Sequence, residues 1–258
     1  MTIKAKPKTS TNEGLNEADF LARYDANAFE HPSVAVDVAL VTVHEDQLRV
    51  LLLQRDSHPY KGAWALPGGF VGMKESLDSA AERVLREKAG IQKAFVEQLY
   101  TFGAPARDPR TRVISVAYYA LVEYQKLQQL AQKPSHCLAT LVVPWQGEAG
   151  GPVKLQSALG QPLRTAFDHQ EVLGVAVQRL RAKVDYAPLG FQLLPKAFTL
   201  LDLQRVHETI LGRSLNKDSF RRRTLASGRL RATGVMEQAV GHRPAEHYQY
   251  VPGITPAQ

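Results

Sequence analysis

The sequence predicts an α+β chain of two unlike parts, a strand-rich N-terminal α/β part and a C-terminal winged helix-turn-helix. Three observations carry this expectation. Short apolar runs with strand character recur between residues 33 and 145. At Asp168 the apolar period changes to a helical one, with Val172, Ala176, Leu180 and Val184 every four residues, joined by Leu173 and Val177. The remainder is basic: from Lys196 onward there are ten Lys and Arg against five Asp and Glu, which supplies +5 of the net +7 charge. A compact basic end points to a polyanionic partner.

Taken in order, residues 1–16 are polar and read as a flexible tail. "EADFLARYDANAF" predicts a short helix before His31-Pro32. "SVAVDVALVTV" and "LRVLLLQR", separated by "HEDQ", predict a hairpin. "SAAERVLREKAG" predicts a helix with Ser76 as N-cap and Gly90 as its stop. "VEQLYTFGAP", "RVISVAYYALVEY" and "HCLATLVVPW" read as further strands, the first two flanking the charged loop "ARDPRTR". "QGEAGGPVKLQSALGQP" reads as a surface insertion. Asp168 is placed to cap the helix of about four turns that follows. "DYAPLGFQLLP" is a joint. Helix "TLLDLQRVHETILG" capped by Thr199, a turn, helix "NKDSFRRRTLAS" started by Ser214 or Asn216, and strands "RLRATGV" and "HYQYV" spell the winged helix. The expected division is 17–165 for the first domain, 166–190 for the linker helix and joint, and 191–258 for the DNA-binding domain.

Composition excludes other classes. With one cysteine, Cys137, no intrachain disulfide forms, and a reducing cytoplasm is expected. The lysine-bearing start lacks the apolar run of a secretory signal, and no stretch reaches the ~18 apolar residues of a membrane span.

The stretch from Gly68 to Ile91, "GGFVGMKESLDSAAERVLREKAGI", carries the spacing of an enzyme signature without all of its carboxylates. It resembles the Nudix box, G-x5-E-x7-R-E-U-x-E-E-x-G-U. Gly69, Glu75, Arg83, Leu85, Glu87, Gly90 and Ile91 are on pattern, whereas Val84 and Lys88 stand where the box has glutamates. On a helix, positions 84, 87 and 88 share one face, where three carboxylates would hold Mg²⁺ or Mn²⁺ by oxygen ligands. Here that face offers a valine, one carboxylate and a cation, so Glu87 alone is a weak metal ligand and no catalytic residue is expected. Glu75 and Arg83 are expected to pair and tie the loop to its helix.

What remains suits binding. Gly68 and Gly69 allow a sharp turn and close approach of backbone to a ligand. Arg107, Arg110 and Arg112 offer forks for a pyrophosphate, Asp108 an acceptor for ribose hydroxyls, and Lys88 a further cation. Arg55, Phe70 and His169 complete the candidate ligand set. In the basic domain, taking Phe220 as the core anchor at 100° per residue turns Lys217, Arg221 and Arg222 outward as groove candidates, with Ser219 near the helix start. Arg223 reads as a flanking phosphate or intramolecular contact, Asp218 as a partner for Arg222, and Arg229, Arg231 and Arg243 as phosphate grips from the ribbon.

With both halves in view, residues from about 19 to 252 resemble the Nudix-related transcriptional regulators of the NrtR type. The resemblance rests on "FLARYDANAFEHPSVAVDVALVTV", "HPYKGAWALPGGFV", "YTFGAPARDPRTRVISVAYYALV", "FDHQEVL" and "LLPKAFTLLDLQRVHETILGR…FRRR". It implies a Nudix-like α/β/α sandwich with a mixed sheet that senses ADP-ribose and dimerises. It also implies a homodimeric winged helix on double-stranded operator DNA, usually repressing NAD biosynthesis or salvage genes and in some relatives governing pentose use. A bacterial cytoplasmic location is implied, nucleoid-associated when DNA-bound, with no membrane partner. No cofactor is then required, ADP-ribose is the effector, and Mg²⁺ matters only if hydrolysis survives. The family's stretches near pocket and linker match Arg107 to Arg112 and Phe167 to His169. Ligand is expected to favour a dimer geometry that spaces the recognition helices wrongly for the half-sites, with the helix from Asp168 as the lever and proline at Val177 as its uncoupler. Two alternatives stand beside this reading. One is a working Mg²⁺-dependent ADP-ribose pyrophosphatase using Glu87 and carboxylates such as Glu82, and the other is a DNA-binding protein whose Nudix-like part only dimerises.

Overall fold

A computed structural model describes residues 15–238 and 244–252. The chain opens with helix α1 (Glu17–Arg23), whose Asn16 cap accepts from the Asp19 amide, and a short 3₁₀ turn, Ala26–Ala28. Strands β1 (Ser33–His44) and β2 (Gln47–Gln54) form the expected hairpin, closed by Glu45 and Asp46, both at positive φ as a two-residue turn requires. Short strands β3 (Trp64–Ala65) and β4 (Gly68–Phe70) lead to helix α2 (Leu77–Ala89), which starts at Ser76 and ends at Gly90 in the left-handed conformation. Then come β5 (Phe95–Phe102), β6 (Val113–Leu121), helix α3 (Tyr124–Leu130), β7 (His136–Val142) and β8 (Lys154–Gln156).

These strands make one sheet in the order β5-β6-β1-β2-β7-β8, with β3 on β2 and β4 on β1. The pairing of β1 with β6 is parallel and the other ladders are antiparallel, so the sheet is mixed. Alternation along each strand builds a core on each face. Val36, Val38 and Leu40 of β1 pack with Val84, Leu85 and Leu127 from α2 and α3. Ala39 and Val41 face the other way, against helix α4 (His169–Lys183), through Val172, Leu173, Ala176, Val177 and Leu180. The result is an α/β/α sandwich.

The stretch expected as a surface insertion is partly structural. It supplies β8 on the sheet edge, and Val153 and Leu155 are buried in the α4-side core. Gly174 of α4 lies against it so closely that a Cβ there would sit 1.9 Å from the Gly151 carbonyl oxygen. Val177 is likewise buried, so proline there would break the sandwich core along with the helix, and it is not a clean uncoupler. Asp168 does start α4, but its side chain caps nothing because it is engaged elsewhere.

A 3₁₀ turn, Gly190–Leu193, leads to β9 (Phe198–Thr199) and helix α5 (Leu200–Leu211), opened by a Thr199–Asp202 capping box. Helix α6 (Lys217–Ala226) starts at Asn216, whose side chain accepts from the Ser219 amide. Strands β10 (Leu230–Met236) and β11 (Glu246–Tyr250) form the wing, and β9 pairs with β11 as a third strand beyond the two expected. Phe198, Leu200, Leu203, Phe220 and Tyr248 make this unit's own small core. Val206 and Ile210 on the other side of α5 join the α4-side core of the sandwich. The first helix of the DNA-binding unit is therefore packed onto α4.

Candidate functional site

A cleft of about 240 Å³ opens where β1, β4, the loop before β6 and the start of α4 meet. Its wall includes the anticipated Arg55, Gly68, Gly69, Phe70, Arg107, Asp108, Arg110 and His169, together with Asp37 and Phe167. Two arginine–aromatic pairs flank it. The Arg55 guanidinium lies 4.9 Å from the Phe167 ring centroid, and that of Arg110 lies 5.6 Å from the Phe70 centroid. Phe70 is 48% exposed and Arg110 about as open, so both can reach a ligand.

Other candidates have internal duties. Arg107 is buried and holds Asp168 in a two-pronged bond, 2.8 and 2.6 Å, and reaches Asp37 at 3.4 Å. That pairing takes the Asp168 carboxylate away from helix capping and commits Arg107 to the wall. Asp108 accepts a two-pronged bond from Arg110 and one from the Arg110 amide, so its oxygens orient that arginine and are not free for ribose. His169 is buried, and its Nδ1 accepts from the Leu66 amide at 2.9 Å. Burial pushes its pKa below the usual histidine range, so it is neutral with the proton on Nε2, which faces Asp37 at 3.7 Å. Gly68 is required by contact, because a Cβ there would meet Asp37 Oδ1 at 2.3 Å and the Val36 carbonyl at 2.9 Å. Arg112 donates to the Ala104 carbonyl, and Lys88 is exposed; neither lines the cleft.

The helix of the degenerate signature presents few groups to a metal. Val84 is buried in the α2-side core and only Glu87 and Lys88 are exposed, so the three positions do not present one open face. Glu87 lies 3.7 Å from Arg83, and among the described residues no three His, Cys, Asp or Glu side chains converge. These residues do not fit a divalent cation. Glu75 and Arg83 pair as expected, at 2.6 and 3.0 Å, while Arg83 also donates to the Phe70 carbonyl. The guanidinium and the Gly72 amide hold the Glu75 carboxyl down to about 2. The pair thus fixes the glycine loop beside the cleft.

On the second unit, Lys217, Arg221, Arg222 and Arg223 of α6 are all exposed, and Phe220 is the helix's buried residue. Ser219 is half-buried. Asp218 forms no ion pair with Arg222 among the described residues. A profile of the NrtR DNA-binding winged helix domain matches residues 190–250, and one of the Nudix domain matches residues 32–146. The ADPR responsive transcriptional repressor NtrR of Acinetobacter baylyi is 38% identical over 237 residues, 91% of this chain and 88% of its own. The chain belongs to the NrtR family.

The structure of Shewanella oneidensis NrtR complexed with a 27mer DNA superposes with a TM-score of 0.70 at 34% identity, covering 84% of this chain and 93% of that one. An ADP-ribose pyrophosphatase of Methanocaldococcus jannaschii is 39% identical over 88 residues, 34% of this chain and 50% of its own. No helix among the described residues is long and apolar enough to cross a membrane.

Within the NrtR winged helix, the arginines divide. Arg231 is engaged with Gln249 across the wing at 3.3 Å. Arg229 turns back to the Tyr186 carbonyl at 3.3 Å, and with Arg223 it lines a cavity of about 110 Å³ between α6 and the joint. Arg223 and Arg229 thus face the joint, the intramolecular option for Arg223. Arg243 lies outside the described residues.

His207 also lines that cavity, with its Nδ1 buried and without a partner. Burial, reinforced by Arg223 and opposed by Asp185, lowers its pKa from 6.5 to about 4. A histidine depressed on folding binds its proton more readily in the unfolded chain. Its contribution is therefore fully present above about pH 6.5, is lost as pH falls toward 4, and amounts to roughly 3 kcal/mol at about 1.4 kcal/mol per unit. Thermal melts at pH 7.5 and 4.5 will show this loss, and His207→Gln will flatten it; an equal slope in the variant would assign the acid sensitivity elsewhere.

Sequence reasoning does not find Asp37, and it reaches Phe167 only through the stretch Phe167 to His169 that the resemblance places near pocket and linker. Asp37 has a signal: a lone carboxylate inside the apolar strand "SVAVDVALV" needs partners when buried. It receives them from Ser115 at 2.5 Å and from Arg107.

Proposed function

We propose that the protein is an ADP-ribose-responsive transcriptional repressor, in which nucleotide held in the sandwich cleft releases the winged helix from operator DNA. The observation that carries this reading is one cleft that pairs two cation–aromatic contacts with a signature helix that has Val84 buried and one carboxylate, Glu87, at its three metal positions. Arg55 and Arg110 present guanidinium N–H donors suited to a diphosphate. The Phe70 and Phe167 rings offer flat apolar faces to a base or sugar, and neutral His169 with the Arg107–Asp168 pair forms the back wall. The Acinetobacter baylyi relative named as ADPR responsive supports the effector, and the Shewanella oneidensis complex supports the DNA face. Genes of NAD biosynthesis or salvage are the proposed targets, and the protein acts as a homodimer on paired half-sites.

Fluorescence anisotropy at fixed salt, on labelled DNA from upstream of NAD-metabolism genes, tests the reading. ADP-ribose will release the protein, and release will persist for hours with Mg²⁺ present. Replacing Mg²⁺ by a chelator will leave nucleotide affinity within about twofold, because this helix offers too few oxygen ligands. Release that decays as AMP accumulates would instead restore the pyrophosphatase reading, and binding indifferent to ADP-ribose would remove the effector.

A further inference from the structure

Helix α4 begins in the wall of the nucleotide cleft and ends about 22 Å away at 1.5 Å per residue, beside the DNA-binding unit. Near that far end lies Arg181, a buried guanidinium with no carboxylate to neutralise it among the described residues. Its three hydrogen bonds all go to main-chain carbonyls. Nε donates to Ile210 at 2.9 Å, and Nη1 donates to Trp145 at 3.2 Å and Gly147 at 2.8 Å. The cation lies 4.7 Å from the Trp145 ring centroid, and a Cβ on Gly212 would meet Nη2 at 2.9 Å.

The partners of this arginine belong to different elements. Ile210 lies in the last turn of α5, where carbonyls lack helical donors and carry the negative end of the helix dipole. Trp145 and Gly147 lie on the loop leaving β7, on the sheet. Val206 and Ile210 of α5 share a core with α4 and with the sheet strands beneath it. Arg181 ties the end of α5 to the loop leaving β7 by directional bonds, whereas Arg179 and Lys183 tie α4 to β5 through Glu97 and the Leu99 carbonyl. Burying a guanidinium among carbonyls is not the cheapest way to fill this space, since an apolar side chain of similar volume commonly packs with equal or better stability. What the fork adds is a fixed angle between α5 and the loop.

We infer that Arg181 is a coupling residue: its bonds to the Trp145 and Gly147 carbonyls hold the winged helix in its DNA-binding setting, and nucleotide entering at the Asp168 end of α4 loosens them. This inference rests on the ADP-ribose-gated reading given above. It assigns a function to a side chain that touches neither nucleotide nor DNA.

The test is the ratio of operator affinities without and with ADP-ribose, read by anisotropy at one salt concentration, alongside nucleotide affinity by calorimetry. In Arg181→Met the ratio will fall at least about tenfold toward one, because ligand-free DNA binding drops to the ligand-bound level while nucleotide binds equally well or more tightly. Arg181→Lys, which keeps the charge and some donors, will recover part of the ratio. A purely structural role would lower the melting temperature and leave the ratio within about threefold of wild type, and that result in a cooperatively melting variant overturns the inference. If Arg181→Met does not melt cooperatively, Arg181→Gln, which is too short to hold both carbonyls, is read in the same way: a reduced ratio supports the role and an unchanged one rejects it. Failure of the parent reading would be seen first, as a ratio of one in the wild type.

Discussion

Arg107→Met will destabilise the protein by about 3–5 kcal/mol, because it strands two carboxylates that now share one guanidinium. Asp37 and Asp168 each keep only 12% of side-chain exposure, so water cannot replace the missing donors. For a chain of this size the deficit corresponds to a melting point lower by roughly 10 °C. Nucleotide affinity will fall as well, since Arg107 and its neighbour His169 form the cleft wall. Adding Asp168→Asn will recover part of the stability by removing one of the stranded charges. Thermal and urea melts decide the matter: a midpoint within about 2 °C of wild type would mean that the buried pair carries no net weight.

Arg221→Ala with Arg222→Ala will weaken operator binding at least about 30-fold, at roughly 1–3 kcal/mol for each arginine withdrawn from a base edge. Both side chains are exposed on α6, so the melting curve will not move. A plot of log affinity against log salt will flatten by about one unit for each phosphate deprived of its arginine. Arg223→Ala is the internal contrast, since that arginine lines the cavity toward the joint. Its operator affinity will stay within about threefold. Equal weakening in both variants would show that α6 meets DNA through a different face.

Local signals are legible without coordinates wherever partners lie within a few residues. Ser76 and Thr199 cap helices as their spacing predicts, Asn216 rather than Ser214 caps the second helix of the basic unit, and Gly90 ends one in a conformation that favours glycine. The Glu75–Arg83 tie follows from eight residues of separation on a turn and helix. Long-range chemistry is not legible in this way. Asp168 reads as a cap because the sequence shows only its neighbours, yet its partner Arg107 lies 61 residues away. The strand Lys154–Gln156 escapes because three residues are too few for an alternation to register among glycines and prolines. Arg181 reads as one more cation near a helix end, since nothing in the chain's order reveals that carbonyls 29, 34 and 36 residues away converge on it. The signature helix reads as one face of three positions, but packing against the sheet draws Val84 inward and leaves Glu87 and Lys88 outside.

The chain contains two tryptophans, and their placement gives the molecule a built-in optical clock. Trp145 sits under the Arg181 cation with its indole N–H on the Gly151 carbonyl, so loosening of the Arg181 clamp would change its emission. Trp64 lies at the other end of the apparatus, in the strand leading to the cleft, bridged to Thr165 just before α4. With Trp64 replaced by phenylalanine, rapid mixing with nucleotide would time the arrival of the signal at the Arg181 clamp, without a dye and without DNA. The order of the two events, filling of the cleft and loosening of the Arg181 clamp, then becomes a matter of comparing two rate constants.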